Sequence, residues 1–576
     1  MCMPCDSGTS AVRSNLTLRP APHLLPFPAM AKKPPIDPLT GPKLALAGQV
    51  VTMDDDFRVV KRGRVYIDLG CIVAIQDATQ APPAGFEATA VVDVGGTIFP
   101  GLIELHNHLA YNALRLWHVP RLFTNRGQWG GTPEYQKLVT GPMKVIGLNE
   151  TVMPALVRYV ECKRLVGGVT TSQGIELFSN AGARRYYRGV VRNVEQTDQE
   201  DLPEAVTRIA DVDAKSPEKF LARLKKQTCL LLHLSEGVDQ TARQHFRALK
   251  LPSGEWAITK ALAGIHCAGL LNEDFKIFGD RDASMVWSPM SNLLLYGATS
   301  RVKSARDNGV RIGLGSDWAV SGSKNLLGEL KVARLASDDM NTGFTDRDLV
   351  AMATKDAAAI LGWQNVLGSL RPGARADVIV LDGSPADPYK ALVAAKETAL
   401  SLVMINGVAR FGTTALMTKL ASEGERVTIG GRQRMLFLKQ EFADEVVAGI
   451  ELGQAKKTLV DALHRLPELA SDLENSRTGP ARAIADRLRG GGRPVWFLAL
   501  DEIEPTGSEL RPRLPGPQGR ESGPRIGTAR SVPLSQLVTP MTLDPLTVAD
   551  DNDFLERVVE QTVLPEFVRT QLPEMY

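Results

Sequence analysis

The sequence lacks three features that would each point to a particular kind of protein. Its 67 Lys and Arg residues nearly balance its 65 Asp and Glu residues, so no overall field favours nucleic acid or an anionic membrane as a partner. No stretch reaches the roughly 18 uninterrupted apolar residues of a membrane span, and the first thirty residues contain no apolar core typical of a secretory signal. We therefore expect a soluble cytoplasmic protein without nucleic-acid or membrane partners, with Met30 as an alternative start to Met1.

Cysteine is also scarce, with six in 576 residues. They are too few and too scattered for a disulfide framework, which favours a reducing compartment. Four lie in segments predicted to be buried strand or helix: Cys71, Cys162, Cys229 and Cys267. Cys2 and Cys5 form a CxxC without a second half, so an unordered tail is favoured there over a zinc or redox site.

The pattern of strand-like and helical segments along the chain predicts an α/β fold with additional modules. Strand-like runs alternate with helical stretches over residues 100–366, which predicts parallel βα units and a (β/α)8 barrel, with an open doubly wound sheet as the alternative. Short strands with glycine turns in 43–99 and 367–415 predict a small β module assembled from both flanks. Residues 1–42 are predicted to be a disordered or extended tail. Residues 416–576 are predicted to form a C-terminal extension, helical with a Pro/Gly/Arg-rich middle.

Several local predictions follow from periodicity. Residues 345–363 have a helical apolar stripe behind Thr345, a plausible N-cap, and 434–475 is also predicted to be helical. The stretch 109–148 is long enough to be a lid or binding loop. The Arg-rich residues 476–535 could contact RNA, but their acidic residues and few aromatics favour a solvated linker.

Two histidines stand one residue apart in GLIELHNHLAYN, residues 101–112. If TIFPGLIELHNH is a strand, its period-two alternation sends the side chains of His106 and His108 to one face, as a chelating pair requires. Such a pair alone is weak evidence, because histidines at strand ends are often satisfied by hydrogen bonds.

Further polar residues close later predicted strands. His233 ends the fifth, His266 the sixth and Asp317 the eighth. In a barrel the carboxyl ends of the strands converge on one mouth, so residues far apart in sequence can surround one ion. Three imidazoles and a carboxylate can form the protein part of a catalytic divalent-ion shell that leaves a position for water.

Seven stretches together resemble the amidohydrolase superfamily, in the branch that contains cytosine and guanine deaminases and triazine hydrolases. They span roughly residues 45–412 and are FPGLIELHNH, GGVTT, LLHLSEG, GIHC, WSPMSNLLLYG, IGLGSDW and LGSLRPGARADVIVLDG. No single piece is specific, but the ordered set is. The resemblance implies a (β/α)8 barrel that carries the metal and a β-sandwich made from both flanks.

The resemblance also implies roles for individual residues. The metal ligands would be His106, His108, His233 and Asp317, and Asp317 would also be catalytic by taking the proton of the water first. His266 would hydrogen-bond the metal water or the developing oxyanion, and Glu236, in HxxE with His233, would move protons between water and substrate. The alternatives are that Glu236 only caps a helix and that His266 is a satisfied core histidine. One divalent ion is expected, with zinc as first choice and iron(II) or manganese as alternatives.

The sequence departs from the family pattern at three places. Glu104 stands where many members have Asp, and its role is left open. The predicted fourth strand, 206–214, has no lysine at its end apart from Lys215 just beyond it, which favours one ion over two. The third departure is the C-terminal extension, which leaves the oligomeric state open.

Other polar and aromatic residues lie near the predicted mouth. Trp117, Arg126 and Trp129 could line the pocket or pack within a lid. The residues after the seventh strand are predicted to build a loop rather than to touch substrate; they are Ser288, Asn292 and Tyr296.

The expected activity is metal-dependent hydrolysis of a carbon–nitrogen bond in a small, ring-containing molecule, by deamination or by amide-type hydrolysis. One alternative is a triazine hydrolase that removes a halogen. The other is a non-catalytic scaffold on the same fold, which the complete ligand set disfavours. The substrate is expected to be a small molecule, and the protein a homo-oligomer.

Overall fold

The computed structural model describes residues 39–180, 182–207, 217–421, 423–475, 494–500 and 532–576. Cys2, Cys5 and Met30 lie outside the described residues, as do Lys215 and most of the predicted fourth strand. Most of the Arg-rich stretch 476–535 is outside them as well.

The described residues contain strands from both flanks and from the central region. The N-terminal flank has β1 (Leu44–Val51), β2 (Val59–Asp68), β3 (Cys71–Asp77) and β4 (Val91–Pro100). The central region has β5 (Leu102–Glu104), β6 (Val169–Ser172), β7 (Glu176–Ser179), β8 (Arg184–Tyr186), β9 (Arg192–Asn193), β10 (Ala205–Val206), β11 (Cys229–Leu234), β12 (Leu262–His266), β13 (Ser284–Trp287) and β14 (Arg311–Leu314). The remainder are β15 (Val378–Asp382), β16 (Leu400–Ile405), β17 (Val408–Thr413), β18 (Glu425–Ile429), β19 (Arg432–Leu436) and β20 (Trp496–Leu498).

Helices alternate with the central strands and dominate the C-terminal part. The α-helices through the centre are Pro133–Tyr135, Gly141–Gly147, Met153–Val166, Pro217–Leu224, Gln240–Arg247, Asn272–Gly279, Pro289–Tyr296, Val302–Asp307, Leu326–Asp339, Asp346–Met352 and Lys355–Leu361. Those that follow are Pro388–Val393, Thr414–Leu420, Leu452–His464, Leu466–Asn475, Leu534–Leu537, Phe554–Glu560 and Glu566–Glu574. None of the helices in the described ranges has both the length and the apolar content needed to cross a membrane.

One nine-stranded sheet is built from both flanks of the central region, in the order β18-β19-β17-β16-β15-β4-β1-β2-β3. It extends to Leu436, beyond the predicted end of the C-terminal flank, so the helix predicted from Arg434 is wrong at its start. The reason is a turn at Gly430 and Gly431, both at positive φ (52° and 74°), which pairs β18 with β19 as a hairpin. The first helix after β19 begins only at Leu452.

Eight short parallel strands form two further sheets, β5-β6-β9 and β10-β11-β12-β13-β14. A parallel bridge between Asn107 and Asp317 joins the end of the first sheet to the end of the second, and Leu105 N donates to Leu314 O over 3.2 Å. The carboxyl ends of β5, β11, β12 and β14 therefore lie side by side, which brings distant parts of the sequence together.

The stretch TIFPGLIELHNH is two strands rather than the single predicted one. β4 ends at Pro100 in the nine-stranded sheet, and β5 begins at Leu102 in a parallel sheet. Gly101 allows the switch because a Cβ there would lie 2.3 Å from Thr170 Oγ1, closer than any side chain tolerates. His106 and His108 therefore follow β5 instead of lying within it.

The predicted helix over residues 345–363 is interrupted. Its N-cap is confirmed, because Thr345 Oγ1 accepts from Asp348 N and Asp348 Oδ2 accepts from Thr345 N, a capping box. The helix stops at Met352 and a second begins at Lys355. Between them, Ala353 O accepts a hydrogen bond from Ile103 N over 2.9 Å, which ties the break to β5.

Candidate active site

Three histidines and an aspartate meet at the carboxyl ends of the parallel strands. His106 Nε2 lies 3.1 Å and His108 Nε2 3.5 Å from Asp317 Oδ1, and His108 Nε2 lies 3.3 Å from His233 Nε2. The ligand atoms of the three histidines lie within 4.8 Å of one another. The structure thus brings together the four residues for which the sequence predicts metal binding.

The orientation of His106 is set from behind by Gln173. The Gln173 Oε1 atom lies 3.1 Å from His106 Nδ1 and accepts from Asn107 N over 2.8 Å. An amide oxygen requires a proton on Nδ1, so Nε2 presents a lone pair to Asp317 and the other histidines. This is the tautomer that a metal-binding imidazole needs.

His266 lies against the same cluster but is oriented differently. Asn292 Nδ2 lies 3.1 Å from His266 Nδ1, so with the amide nitrogen as donor the ring carries its proton on Nε2. That nitrogen lies 3.7 Å from Glu236 Oε2. A protonated Nε2 is a hydrogen-bond donor, which suits His266 to an oxygen in the site better than to a metal ion.

Both oxygens of Glu236 are bound. Tyr296 OH donates to Oε1 over 2.8 Å, and Arg126 Nη1 donates to Oε2 over 2.7 Å. Trp129 Nε1 in turn donates to Tyr296 OH over 3.0 Å. Glu236 is thus held in a fixed position at the edge of the histidine cluster, and capping of the following helix belongs instead to Asp239, whose side chain accepts from Ala242 N.

The segment that carries Arg126 is hydrogen-bonded to the loop that carries Glu236. Asn125 pairs with Gly237 in an antiparallel bridge, and Val238 N donates to Thr124 O over 2.7 Å. Sequence reasoning left Arg126 undecided between pocket and lid. In the structure Arg126 has both features, because it lies in the predicted lid stretch 109–148 and its guanidinium contacts Glu236.

Of the residues that the sequence assigned to a loop after the seventh strand, Asn292 and Tyr296 lie on the helix Pro289–Tyr296, and Ser288 stands immediately before it. Asn292 reaches His266 and Tyr296 reaches Glu236 from one face of that helix, four residues apart. That i, i+4 spacing was a signal that could have linked them to each other. Their shared approach to His266 and Glu236 depends on tertiary structure.

Two of these side chains stand on unusual backbone. His266 has φ 67° and Asp317 has φ 62°, in the left-handed region that costs a non-glycine residue free energy. Each comes directly at or after a strand end, where the chain turns sharply. Such positions cluster at functional sites, which agrees with a constrained arrangement here.

Burial and charge set the protonation of the cluster. Burial, together with the charge of Arg126 and the neighbouring histidines, lowers the pKa of His233 well below its usual value. Burial likewise lowers the pKa of His266 to about 4. Burial alone would raise the pKa values of Glu236 and Asp317, but Arg126 outweighs it at Glu236 and His106 outweighs it at Asp317, so both values are lowered. At neutral pH His233 and His266 are therefore neutral, and Glu236 and Asp317 are ionised.

This protonation pattern fits a divalent metal ion. Neutral imidazoles and carboxylates are the ligands that zinc, iron(II) and manganese accept. His106 Nε2 is buried and has no hydrogen-bond partner among the described residues, although such an atom normally has one. The donor set therefore has the chemistry of a metal site.

Glu104 does not belong to this site. Its Oε2 pairs with the buried Arg164 at 3.0 Å, and its Oε1 accepts from Asn107 Nδ2 and from the backbone and hydroxyl of Ser316. It ties the loop of His106 and His108 to the loop of Asp317. The sequence left the role of Glu104 open, and in the structure its carboxylate contacts a neighbouring loop.

Comparison with known proteins gives a family and several relatives. Residues 252–410 match the model of the amidohydrolase family. A 5-methylthioadenosine/S-adenosylhomocysteine deaminase from Syntrophobacter fumaroxidans is 26% identical over 391 residues, which are 59% of this chain and 84% of that protein. A 5'-deoxyadenosine deaminase from Methanosarcina mazei is 24% identical over 444 residues, 70% of this chain and 97% of that protein.

Solved structures show the same fold. A triazine hydrolase variant is similar with a TM-score of 0.51 at 22% identity, over 64% of this chain and 94% of that one. An atrazine chlorohydrolase from Arthrobacter aurescens TC1, solved in complex with zinc, is similar with a TM-score of 0.50 at 19% identity over the same shares. At such identities the likeness shows the mixed α/β, TIM-barrel type of fold. The family match over residues 252–410 and the deaminase relatives confirm the predicted resemblance to amidohydrolases, hydrolases of carbon–nitrogen bonds other than peptide bonds.

Proposed function

We propose that this enzyme is a metal-dependent deaminase that removes an exocyclic amine from a small aminated ring, most readily one of the adenine type. The observation that carries the proposal is Glu236, an ionised carboxylate fixed 3.7 Å from His266 at the edge of the histidine cluster. The proposal takes the eight parallel strands as one closed barrel whose mouth holds this site, and the nine-stranded sheet as the flanking sandwich.

The proposed ligands of one divalent ion are His106, His108, His233 and Asp317. Zinc is the first choice, with iron(II) and manganese as alternatives, because this donor set does not strongly discriminate among them. When bound, such an ion supplies a water nucleophile at neutral pH. The substrate would bind on the side of the cluster that faces Glu236 and His266.

Glu236 is the proposed proton carrier. As a carboxylate it accepts a proton from the attacking water and delivers it to a ring nitrogen. It then carries the proton of the added hydroxyl to the exocyclic nitrogen, so that the carbon–nitrogen bond breaks, ammonia leaves and the oxygen stays on the ring carbon. Arg126 and Tyr296 hold it ionised and aimed, which suits the accepting half of this cycle. His266, with its proton on Nε2, is the proposed donor to the oxygen that becomes attached to the ring.

Two observations support a planar, aminated substrate. The sequence relatives named above are deaminases of adenosine derivatives, and they align over most of their own length. The site also has an aromatic wall, because the ring centroid of Trp318 lies 5.2 Å from that of His108 and 6.1 Å from that of Trp129. Aromatic side chains stack on planar rings. A dehalogenating triazine hydrolase is not favoured, since its likeness extends to the fold alone.

The test is ammonia release from a panel of substrates by purified, zinc-loaded protein. The panel contains adenosine, 5'-methylthioadenosine, S-adenosylhomocysteine, guanine, cytosine, an aminotriazine, a simple amide and a carbamate. We expect ammonia from one or more adenine-type compounds and its loss in Glu236→Gln. Hydrolysis of the amide or carbamate without turnover of any aminated ring would contradict deamination and favour amide-type hydrolysis.

A further inference from the structure

The C-terminal segment reaches a buried ionic cluster next to the candidate active site. Asp544 accepts from Lys163 Nζ through one carboxylate oxygen and from Lys324 Nζ, at 2.6 Å, through the other. Lys324 Nζ also donates to Asp551 Oδ2 over 2.6 Å. The side chains of Lys163, Lys324 and Asp544 are at most 1% exposed. We call these four residues the lysine–aspartate cluster.

The backbone of Asp544 is bound as tightly as its side chain. Asp544 N donates to Ala113 O over 2.9 Å, and Tyr159 OH donates to Asp544 O over 2.7 Å. Ala113 ends the short 3-10 helix Leu109–Ala113 that follows His108 directly. The C-terminal segment therefore holds the chain five residues beyond a proposed metal ligand.

Asn112 connects the lysine–aspartate cluster to both ligand loops. Its backbone oxygen accepts from Lys163 Nζ over 2.8 Å. Its side-chain amide donates to Asn107 Oδ1 over 2.7 Å and accepts from Ala319 N over 2.6 Å. Asn107 lies between His106 and His108, and Ala319 lies two residues after Asp317. One amide thus fixes the spacing of two loops that carry three of the four proposed ligands.

We propose that Asp544, acting through Lys163 and Asn112, is a positioning residue for the metal ligands, and that the C-terminal segment therefore completes the active site from behind. The inference rests on the proposed function. Loss of the Asp544 carboxylate would leave the ammonium of Lys163 buried beside Lys324 without its partner, and the loop that Lys163 holds through Asn112 would loosen. Groups that orient metal ligands commonly change metal affinity by about 10–100-fold when they are removed.

The experiment measures zinc affinity of the full-length, metal-stripped protein by competition with a chromophoric chelator. Asp544→Asn should weaken zinc binding by about 10–100-fold. Asp553→Asn is the matched control, because Asp553 lies on the same segment and its side chain is 55% exposed in a surface pair with Arg115; its zinc affinity should stay within about twofold of wild type. Unchanged affinity in a folded Asp544→Asn protein would overturn the inference.

A second variant separates positioning from general destabilisation. Asn112→Ala leaves the four charged residues in place and removes only the amide that joins the two loops, so it should lower zinc affinity to a similar extent. The double variant with Asp544→Asn should be no weaker than the weaker single variant, because both act through one path. Multiplied effects in the double variant, or normal zinc binding by Asn112→Ala, would overturn the inference. The Asn112→Ala result also decides the matter if Asp544→Asn fails to fold.

Different results would overturn the metal site and the positioning role of Asp544. If wild-type protein does not bind zinc, the proposed metal site falls and the positioning role of Asp544 falls with it. If wild type binds zinc tightly and releases ammonia from its substrate, while Asp544→Asn and Asn112→Ala bind zinc equally well, only the positioning role is overturned.

Discussion

Two clusters of buried ionisable groups involve or contact residues 106–113, and their charges are balanced in different ways. In the lysine–aspartate cluster, ammonium groups face carboxylates, so each charge has its counter-charge within the protein. In the candidate active site, the Nε2 atoms of His108 and His233 face each other at 3.3 Å. His106 Nε2 has no hydrogen-bond partner among the described residues.

The difference shows how a functional cluster can be told from a structural one. Buried charge is costly unless it is paired, and the lysines supply the pairing in one cluster from within the chain. The other cluster gathers the ring nitrogens of three histidines beside the Asp317 carboxylate, a set of donors that a divalent cation from outside would bind. Burial and strongly shifted pKa values are common to both, so neither property identifies the active site by itself.

The contrast between the two clusters is tested most directly by substituting a proposed metal ligand. His106→Ala should abolish stoichiometric zinc binding and lower turnover by at least about 10³-fold, because the water nucleophile depends on the ion. Metal analysis after gel filtration and ammonia release measure the two effects. His464→Ala, on an exposed helix position, is the control and should retain both properties. A His106→Ala protein with full zinc content would show that His106 is not a ligand.

The proton carrier should behave differently from the ligands. Glu236→Gln should lower turnover by about 10²–10⁴-fold, the usual range for a general acid–base group, while zinc content stays at the wild-type level. The exposed Glu255→Gln is the matched control. Turnover close to wild type in Glu236→Gln would remove this residue from the chemistry and leave it a structural partner of Arg126.

One rule, that the carboxyl ends of parallel strands converge, explains which site residues could be predicted from the sequence. His106, His108, His233, His266 and Asp317 all lie at or just after the ends of parallel strands, and parallel strands bring those ends to one edge. The same rule could have found Gln173, which directly follows β6. It needed only the order of the strands, and their exact bounds were less predictable, as the split of TIFPGLIELHNH at Gly101 shows.

Residues outside the strand ends could not be found in this way. Arg126, Tyr296 and Asp544 reach the site or its supports from a covering segment, a helix and the C-terminal segment, at sequence separations of 110, 60 and 381 residues from their partners. No spacing rule links such positions, because their contacts depend on how the loops pack. The homo-oligomer stays a prediction.

The partner of the proton carrier offers a finer test. Since Arg126 is the main group that lowers the pKa of Glu236 against the effect of burial, Arg126→Met should raise that pKa. The acid limb of kcat/KM should then move up by about 1–2 pH units, the usual effect of one adjacent charge. Arg121→Met, an exposed change in the same segment, should leave the limb in place. An unshifted limb in Arg126→Met would mean that another group controls it.

The smallest effect concerns Glu329, a buried carboxylate that has no ion pair with a lysine or a histidine among the described residues. It accepts from Ser323 Oγ and from Met290 N, and burial raises its pKa to about 8. A carboxyl with a raised pKa holds its proton in the folded state, so the free energy of unfolding should fall as pH rises from the unfolded value of 4.5 to about 8. Glu329→Gln cannot ionise, so its stability relative to wild type should increase over that window by up to about 1 kcal/mol per pH unit.

Urea unfolding at pH 5, 6.5 and 8, with Glu255→Gln alongside, measures this dependence of stability on pH. A constant difference between Glu329→Gln and wild type would show that Glu329 is ionised throughout, and hence that this carboxylate is paired like those of the lysine–aspartate cluster instead of being kept neutral.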